Sequence, residues 1–318
     1  MSFHPKTIIL TSVESDHQDY YPRYEDIRDA FIEYGRLLPP DGYFIYCADD
    51  PGASEVAVSL KKEKPEINLV PYGFSAQNDY RIESYQVINE RVVIRLKGFP
   101  GELKIRIPGR HTALNTAAAV ALCSLFVKKE FGSDSSNGWN EERREGVRKS
   151  LEEFSGSKRR SEILGEVDGI LFMDDYGHHP TAVRTTLQGL KEFYPKRRLV
   201  ISFMSHTFTR TATLFDDFAS CFADADLILL HKIYASAREV YKGGVTGRTL
   251  FEKTKENFGE RVLYAEEVDD GFELMKSILK SGDLFITMGA GDNWRLGKKL
   301  FEFFFKSEFT KKENGNSL

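Results

Sequence analysis

Past Gly156 the chain alternates short apolar runs with helical patterns, and this alternation constrains the fold more than any other feature. Apolar runs stand at Ile170 to Met173, Leu199 to Phe203, Leu227 to Leu230, Val262 to Tyr264 and Leu284 to Met288. Helical spacing fills the intervals near 181–194, 211–223, 247–258 and 268–281, and a last helix is predicted near 292–306. Runs of this length, bounded by turn residues, read as strands buried on both faces. Strand and helix in regular alternation give a doubly wound, mostly parallel sheet, because each crossover helix covers one face. Such sheets bind ligands beyond the carboxyl ends of their strands.

The first half reads differently. Lys6 to Thr11 and Gly42 to Cys47 are strands with a helix between them over Tyr24 to Leu37. A short helix from Pro51 to about Lys62 and a strand from Ile67 to Tyr72 follow, so a second parallel sheet is expected. From Tyr80 to Ile107 the period changes to two, with tight turns at Asn89-Glu90 and Gly98–Gly101, which predicts an antiparallel meander. An alanine-rich helix over His111 to Lys129, a polar loop from Gly132 to Gly138 and a helix over Asn140 to Phe154 complete this half. The domain boundary is placed near residue 157, giving domains 1–156 and 157–318. A length of 318 residues with 41% hydrophobic and 29% charged composition suits two globular domains.

Composition removes several functions. The net charge of −4, with signs interspersed, lacks the basic stripe of a nucleic-acid partner. No apolar run reaches membrane-spanning length and Met1 to Lys6 holds no signal core, so a cytoplasmic location is expected. Cys47, Cys123 and Cys221 are isolated, which argues against a disulfide framework or a zinc site.

Chemistry concentrates at the predicted strand ends. Asp174-Asp175-Tyr176-Gly177-His178-His179-Pro180-Thr181 puts two carboxylates, a phenol and two imidazoles between a strand and a helix. A helix cap with proline in the first turn accounts for one polar residue, not five. His206 and Arg210, in Ser205-His-Thr-Phe-Thr-Arg-Thr211, follow the next strand, at the same edge. His111 and Asn115 are four apart and share a helix face, as a ligand pair or as a helix cap with a packed amide. Arg159 and Arg160 are either a plain basic cluster or a guanidinium suited to a transferring phosphoryl group. His17 lies in an acid-rich loop with Glu14 and Asp16, whose charges are equally consistent with solvation. Gly289-Ala-Gly-Asp292 is a tight turn with an Asp cap or a ligand contact. Lys242 to Thr249 fails the G-x-x-x-x-G-K-[ST] test and reads as a turn before a helix. A zinc hydrolase built on Asp175, His178 and His179 is disfavoured, since adjacent histidines in a turn lack the i, i+4 geometry of helical metal sites.

Together, Thr11–His17, Gly109–Asn115, Phe154–Arg160, Asp174–Thr181, Ser205–Thr211 and Met288–Asp292 occur in the order and spacing of the Mur ligases, and the chain resembles the alanine-adding branch of that family over nearly its whole length. The resemblance implies a partial central ATPase-type α/β domain with its antiparallel meander, followed by a doubly wound, Rossmann-like C-terminal domain. It implies ATP-dependent amide ligation in peptidoglycan synthesis, with UDP-N-acetylmuramate and L-alanine as substrates and ATP and Mg2+ as cofactors. By the same resemblance His17 ligates the metal, and His111, Asn115, Arg160 (favoured over Arg159) and Asp175 bind the nucleotide. Tyr176 and His178 orient the amino acid, and His206 and Arg210 meet the muramyl carboxylate. Thr112 and Thr207 stand where the family has Asn and Arg, and Arg210 is left as the one guanidinium of its motif. The family's UDP-binding domain and its Gly-Lys-Thr phosphate loop are not found in these residues, so the chain alone is expected to be inactive, with an upstream chain as one source of the missing parts. A ligase that recycles murein tripeptide and a non-catalytic nucleotide- or amino-acid-binding module are the alternatives.

Overall fold

The computed structural model describes residues 3–15, 20–77, 80–132, 138–235 and 243–315, with side chains up to residue 307. The chain divides into two compact units, Met1–Ser155 and Gly156–Leu318. Among the described residues no helix is long and apolar enough to cross a membrane.

The first unit begins with β1 (Thr7–Leu10), α1 (Tyr24–Gly35), β2 (Tyr43–Cys47), α2 (Pro51–Glu63) and β3 (Asn68–Tyr72). The strands form a parallel sheet in the order β1-β2-β3. Ile8, Leu10 and Phe44 pack with Ile32 of α1 and Val56, Ala57 and Leu60 of α2 in one core. Asp50 caps α2 by accepting from the Ala53 amide at 2.7 Å, and Pro51 sets the first turn. The meander follows as β4 (Ile82–Val87), β5 (Val92–Leu96) and β6 (Phe99–Ile105), antiparallel throughout. The helices α3 (Arg110–Phe131) and α4 (Glu141–Glu153) close the unit.

The second unit holds β7 (Glu162–Val167), β8 (Ile170–Asp175), α5 (Pro180–Phe193), β9 (Arg198–Phe203), α6 (Phe208–Thr213), α7 (Phe215–Ser220) and β10 (Leu227–Leu230). It continues with α8 (Gly247–Phe258), β11 (Val262–Tyr264), α9 (Val268–Ile278), β12 (Asp283–Met288) and α10 (Trp294–Gly315). The six strands lie in the order β11-β10-β9-β12-β8-β7. All neighbours are parallel except β7 and β8. Successive residues of β8, β9 and β12 are buried whichever way they point, as a sheet covered on both faces requires.

Two features differ from the sequence reading. Strand β7 has no counterpart there, since its Glu-Ile-Leu-Gly-Glu-Val alternates weakly and is interrupted by a bulge between Ile163 and Gly165. Gly165 is needed at that point because a β-carbon would lie 2.6 Å from the Phe301 ring. The helix expected over 211–223 begins earlier and breaks at Leu214, which ends α6 and starts α7.

The position of β12 sets the spacing of the loops at the carboxyl edge of this sheet. It enters between β8 and β9 from much later in the chain. The loops after β8 and β9 are therefore held two strand spacings apart, about 10 Å, with the end of β12 between them.

Candidate functional site

Asp174 and Asp175 end β8 and are both buried, but they serve different neighbours. Asp174 accepts from Arg159 Nε at 2.8 Å and from Thr287 Oγ1 of β12 at 2.7 Å. Burial pushes its carboxyl above the ordinary range, with the Thr287 and Arg159 hydrogen bonds pulling the other way. Arg159 also donates to the Gly289 carbonyl at 2.8 Å, so this guanidinium ties β8 to the turn after β12. Arg160 is exposed, and its guanidinium stands 5.5 Å from the centre of the Tyr176 ring. Asp175 accepts from the Ser161 amide and from the Gly177 amide, at 2.7 and 2.6 Å. With 5% of its surface exposed, it shapes the turn that carries Tyr176 and His178.

His178 donates from Nδ1 to the Tyr176 carbonyl at 3.0 Å, since a carbonyl can only accept. The neutral ring therefore keeps its lone pair on Nε2. His206 has the opposite arrangement. Its Nδ1 lies 3.4 Å from Arg210 Nη1, a group with hydrogens and no lone pair, so Nδ1 accepts and Nε2 carries the proton. The two rings meet edge to face with centroids 6.3 Å apart, spanning the end of β12. A turn of Gly289, Ala290 and Gly291 makes that possible. A β-carbon on Gly289 would lie 2.3 Å from the Met204 carbonyl, and one on Gly291 would lie 2.6 Å from Met204 Sδ.

Arg210 is buried, with 5% exposure, in the first turn of α6. It is aimed by Thr207, which adopts φ +68° and caps Arg210 through its hydroxyl at 3.3 Å. Thr211, in turn, hydrogen-bonds Ser205 at 2.6 Å and the Thr207 carbonyl at 2.7 Å. Tyr176, His178, His206 and Tyr234 form a continuous row of rings across the ends of β8, β9 and β10.

The other expected site residues belong to the first unit. His111 and Asn115 share the opening turns of α3, with Asn115 exposed. The His111 ring folds over Gly109, where a β-carbon would lie 2.6 Å away. Thr112 turns inward and donates to the Pro108 carbonyl at 3.0 Å, so it offers nothing to a ligand. His17, expected at a metal, lies outside the described residues. The sequence reading missed the contact of Arg110 with the Phe74 ring, at 3.4 Å, and assigned no role to Tyr234. Neither stands in a pattern that periodicity or spacing could flag.

A doubly wound domain whose strand ends carry an Asp-Asp turn, paired imidazoles and a buried arginine follows an α/β unit with a meander, and the chain belongs to the Mur ligase family. Family models match at residues 1–123, the Mur ligase middle domain, and at 159–291, the Mur ligase glutamate ligase domain. The chain is 50% identical over 304 residues to the UDP-N-acetylmuramate–L-alanine ligase of Treponema pallidum, covering 96% of this chain and 62% of that protein. It is 35% identical over 297 residues to the ligase of the same name from Borreliella afzelii, covering 93% of this chain and 61% of that one. The chain thus spans about three fifths of the length of the curated relatives it matches. The crystal structure of UDP-N-acetylmuramate-alanine ligase from Thermotoga maritima shares the fold, with a TM-score of 0.69 at 24% identity, covering 96% of this chain and 61% of that chain.

Proposed function

We propose that the chain carries the acyl-transfer machinery of an ATP-dependent ligase that joins L-alanine to the carboxylate of UDP-N-acetylmuramate, a cytoplasmic step of peptidoglycan synthesis. The observation that supports it most is the meeting of His178, His206 and Arg210 at one sheet edge, in a chain half identical over 304 residues to a ligase of that name.

In this reading Arg210 and the Nε2–H of His206 donate to the muramyl carboxyl oxygens and stabilise charge that grows on them during attack. ATP, when bound, supplies the phosphoryl group that makes this carboxylate an acyl phosphate. The alanine nitrogen then bonds to the acyl carbon, the carbon–oxygen bond to phosphate breaks, and phosphate leaves with the electron pair. His178, with its Nε2 lone pair, takes the proton that the nitrogen loses. Tyr176 bounds the amino-acid side of the site, and Arg160 meets the phosphate.

The residues fit one end of ATP. An asparagine amide such as that of Asn115 matches the donor and acceptor on one edge of adenine, and His111 stands one turn before it. Asp175 reaches a ribose only through the lone pairs that its present donors leave. At the triphosphate end only Arg160 is assigned, since no G-x-x-x-x-G-K-[ST] loop stands among these residues. Among the described residues no group of three or more His, Cys, Asp or Glu is placed to hold a metal ion, so Mg2+ is assigned no ligands there.

A second reading is a binding module without turnover. Grafting this chain in place of the matching segment of the Treponema pallidum ligase, with that protein's other residues retained, separates the two. Phosphate release that requires both UDP-N-acetylmuramate and L-alanine is expected. A folded graft that releases none supports the binding module, and one that works only on a tripeptide moves the assignment to murein recycling.

A further inference from the structure

We propose that Tyr234 is a positioning residue for this reaction: its ring, stacked on the imidazole of His206, fixes the plane in which His206 presents its Nε2–H to the substrate. The inference rests on the role given to His206 above. Beyond β10 the chain runs alongside the extension of β9 and makes one isolated parallel bridge, His206 with Tyr234. The Thr207 amide donates to the Tyr234 carbonyl at 2.9 Å, and the Tyr234 amide donates to the Ser205 carbonyl at 2.8 Å. These two bonds bracket His206 and hold the two residues in register.

The rings then lie 27° from parallel with centroids 5.9 Å apart, within the range of offset stacking. Tyr234 is 39% exposed, so its ring is not there to fill a core. The turn after β12 runs close to the backbone here, since a β-carbon on Gly291 would stand 3.0 Å from the Tyr234 β-carbon. His206 also meets the edge of His178 and the guanidinium of Arg210. A hydrogen bond of 3.4 Å to Arg210 is long for its type. It selects the tautomer but constrains the ring plane weakly. The flat face of Tyr234 adds a constraint on that plane, and any aromatic side chain at this position would do so without a hydroxyl.

The test tracks the histidine ring signals of the 318-residue chain by NMR, with His206 assigned through H206Q. Tyr234→Leu is expected to move the His206 ring protons out of the shielding of the Tyr234 face, leaving the His231 signals and the melting temperature unchanged. Tyr234→Phe is expected to keep them where they are. The proposal is overturned if Tyr234→Leu leaves the His206 signals in place, if Tyr234→Phe displaces them as far as leucine does, or if leucine disturbs His231 and the melt as well. None of these readouts needs turnover. A failed ligation assay would therefore leave them standing, and a failed positioning role would appear in them even in an active graft.

Discussion

The two units of this chain place backbone strain differently. In the first, the described non-glycine residues with positive φ are Asn89 and Glu90, at +49° and +53°, adjacent in the turn between β4 and β5. Both central residues of a type I′ hairpin turn require that conformation. The second unit has one such residue in a hairpin turn too, Asp168 at +49°, but its other three, Arg159, Ser161 and Thr207 at +57°, +47° and +68°, flank the strand ends that carry the histidines. The groups expected to meet the base, His111 and Asn115, stand on ordinary helical backbone. The groups expected to handle the reacting atoms stand between strained residues. Strain of this kind persists only where the surroundings over-determine it, and it collects where a group must be held in one orientation. Holding an aromatic base tolerates small displacements, whereas transfer at a carbonyl does not.

The strongest way to break this contrast is to remove the group that the strain aims. In the grafted ligase Arg210→Ala should lower kcat/KM by about a hundredfold or more, as expected for losing one electrostatic contact to the transition state. Arg210→Lys should recover little, because an ammonium keeps the charge and loses the fork. Steady-state kinetics that place the alanine variant within about twofold of the parent would remove Arg210 from the site.

Acid should reveal a second asymmetry. His231, 2% exposed beneath the site, receives a hydrogen bond from Ser202 at Nε2 and donates from Nδ1 to the Ala265 carbonyl, at 2.9 Å each. Burial is the main cause that lowers its pKa from 6.5 to about 4. The unfolded chain takes up a proton below about 6.5, whereas the folded chain does so only near 4. The second unit should therefore keep its full stability above pH 6.5 and lose up to about 3 kcal/mol as the pH falls towards 4. Urea midpoints measured against pH would show this, with His231→Gln as the control that cannot titrate. Parallel curves for parent and variant would contradict it.

The smallest expected effect is on stability, at Thr207. Thr207→Gly should relieve its positive φ and stabilise the chain by up to about 1 kcal/mol, less a few tenths for the lost cap. Asn89→Gly, in the first unit, should change little, because asparagine already tolerates that region. Equal shifts at the two positions would mean that Thr207 carries no more strain than a hairpin turn.

Much of this architecture was legible in the sequence because burial on both faces writes itself as apolar runs, as in Ile170 to Met173 and Leu284 to Met288. The polar turn after β8 was legible for the complementary reason, since five polar side chains exceed what a cap needs. Strand β7 was not, because an edge strand interrupted by a glycine bulge has no such pattern. Asp168-Gly169, with φ of +49° and +73°, was the available signal, a hairpin dipeptide directly before β8. The opposed tautomers of His178 and His206 were beyond sequence altogether. They depend on which atom lies across from each Nδ1, the Tyr176 carbonyl two residues before His178 and Arg210 Nη1 four residues after His206, and the local turn geometry that brings them there leaves no periodic pattern.

Strand order also sets a schedule. The floor beneath the two imidazoles is β12, which pairs with β8 and β9 on either side yet comes after both by a long stretch of chain. A ribosome releases β8, β9, β10 and β11 before it releases the strand that joins β8 to the others. Until then the growing chain exposes two unpaired central strand edges, rich in valine, isoleucine and leucine, at the stage when such edges invite aggregation. The contacts that complete the sheet are among its least local, and loops of that length close slowly. Native hydrogen-exchange protection of β8 and β9 should therefore appear only once β12 has been made. The edge that carries His178 and His206 is among the last parts of the second unit to come into being.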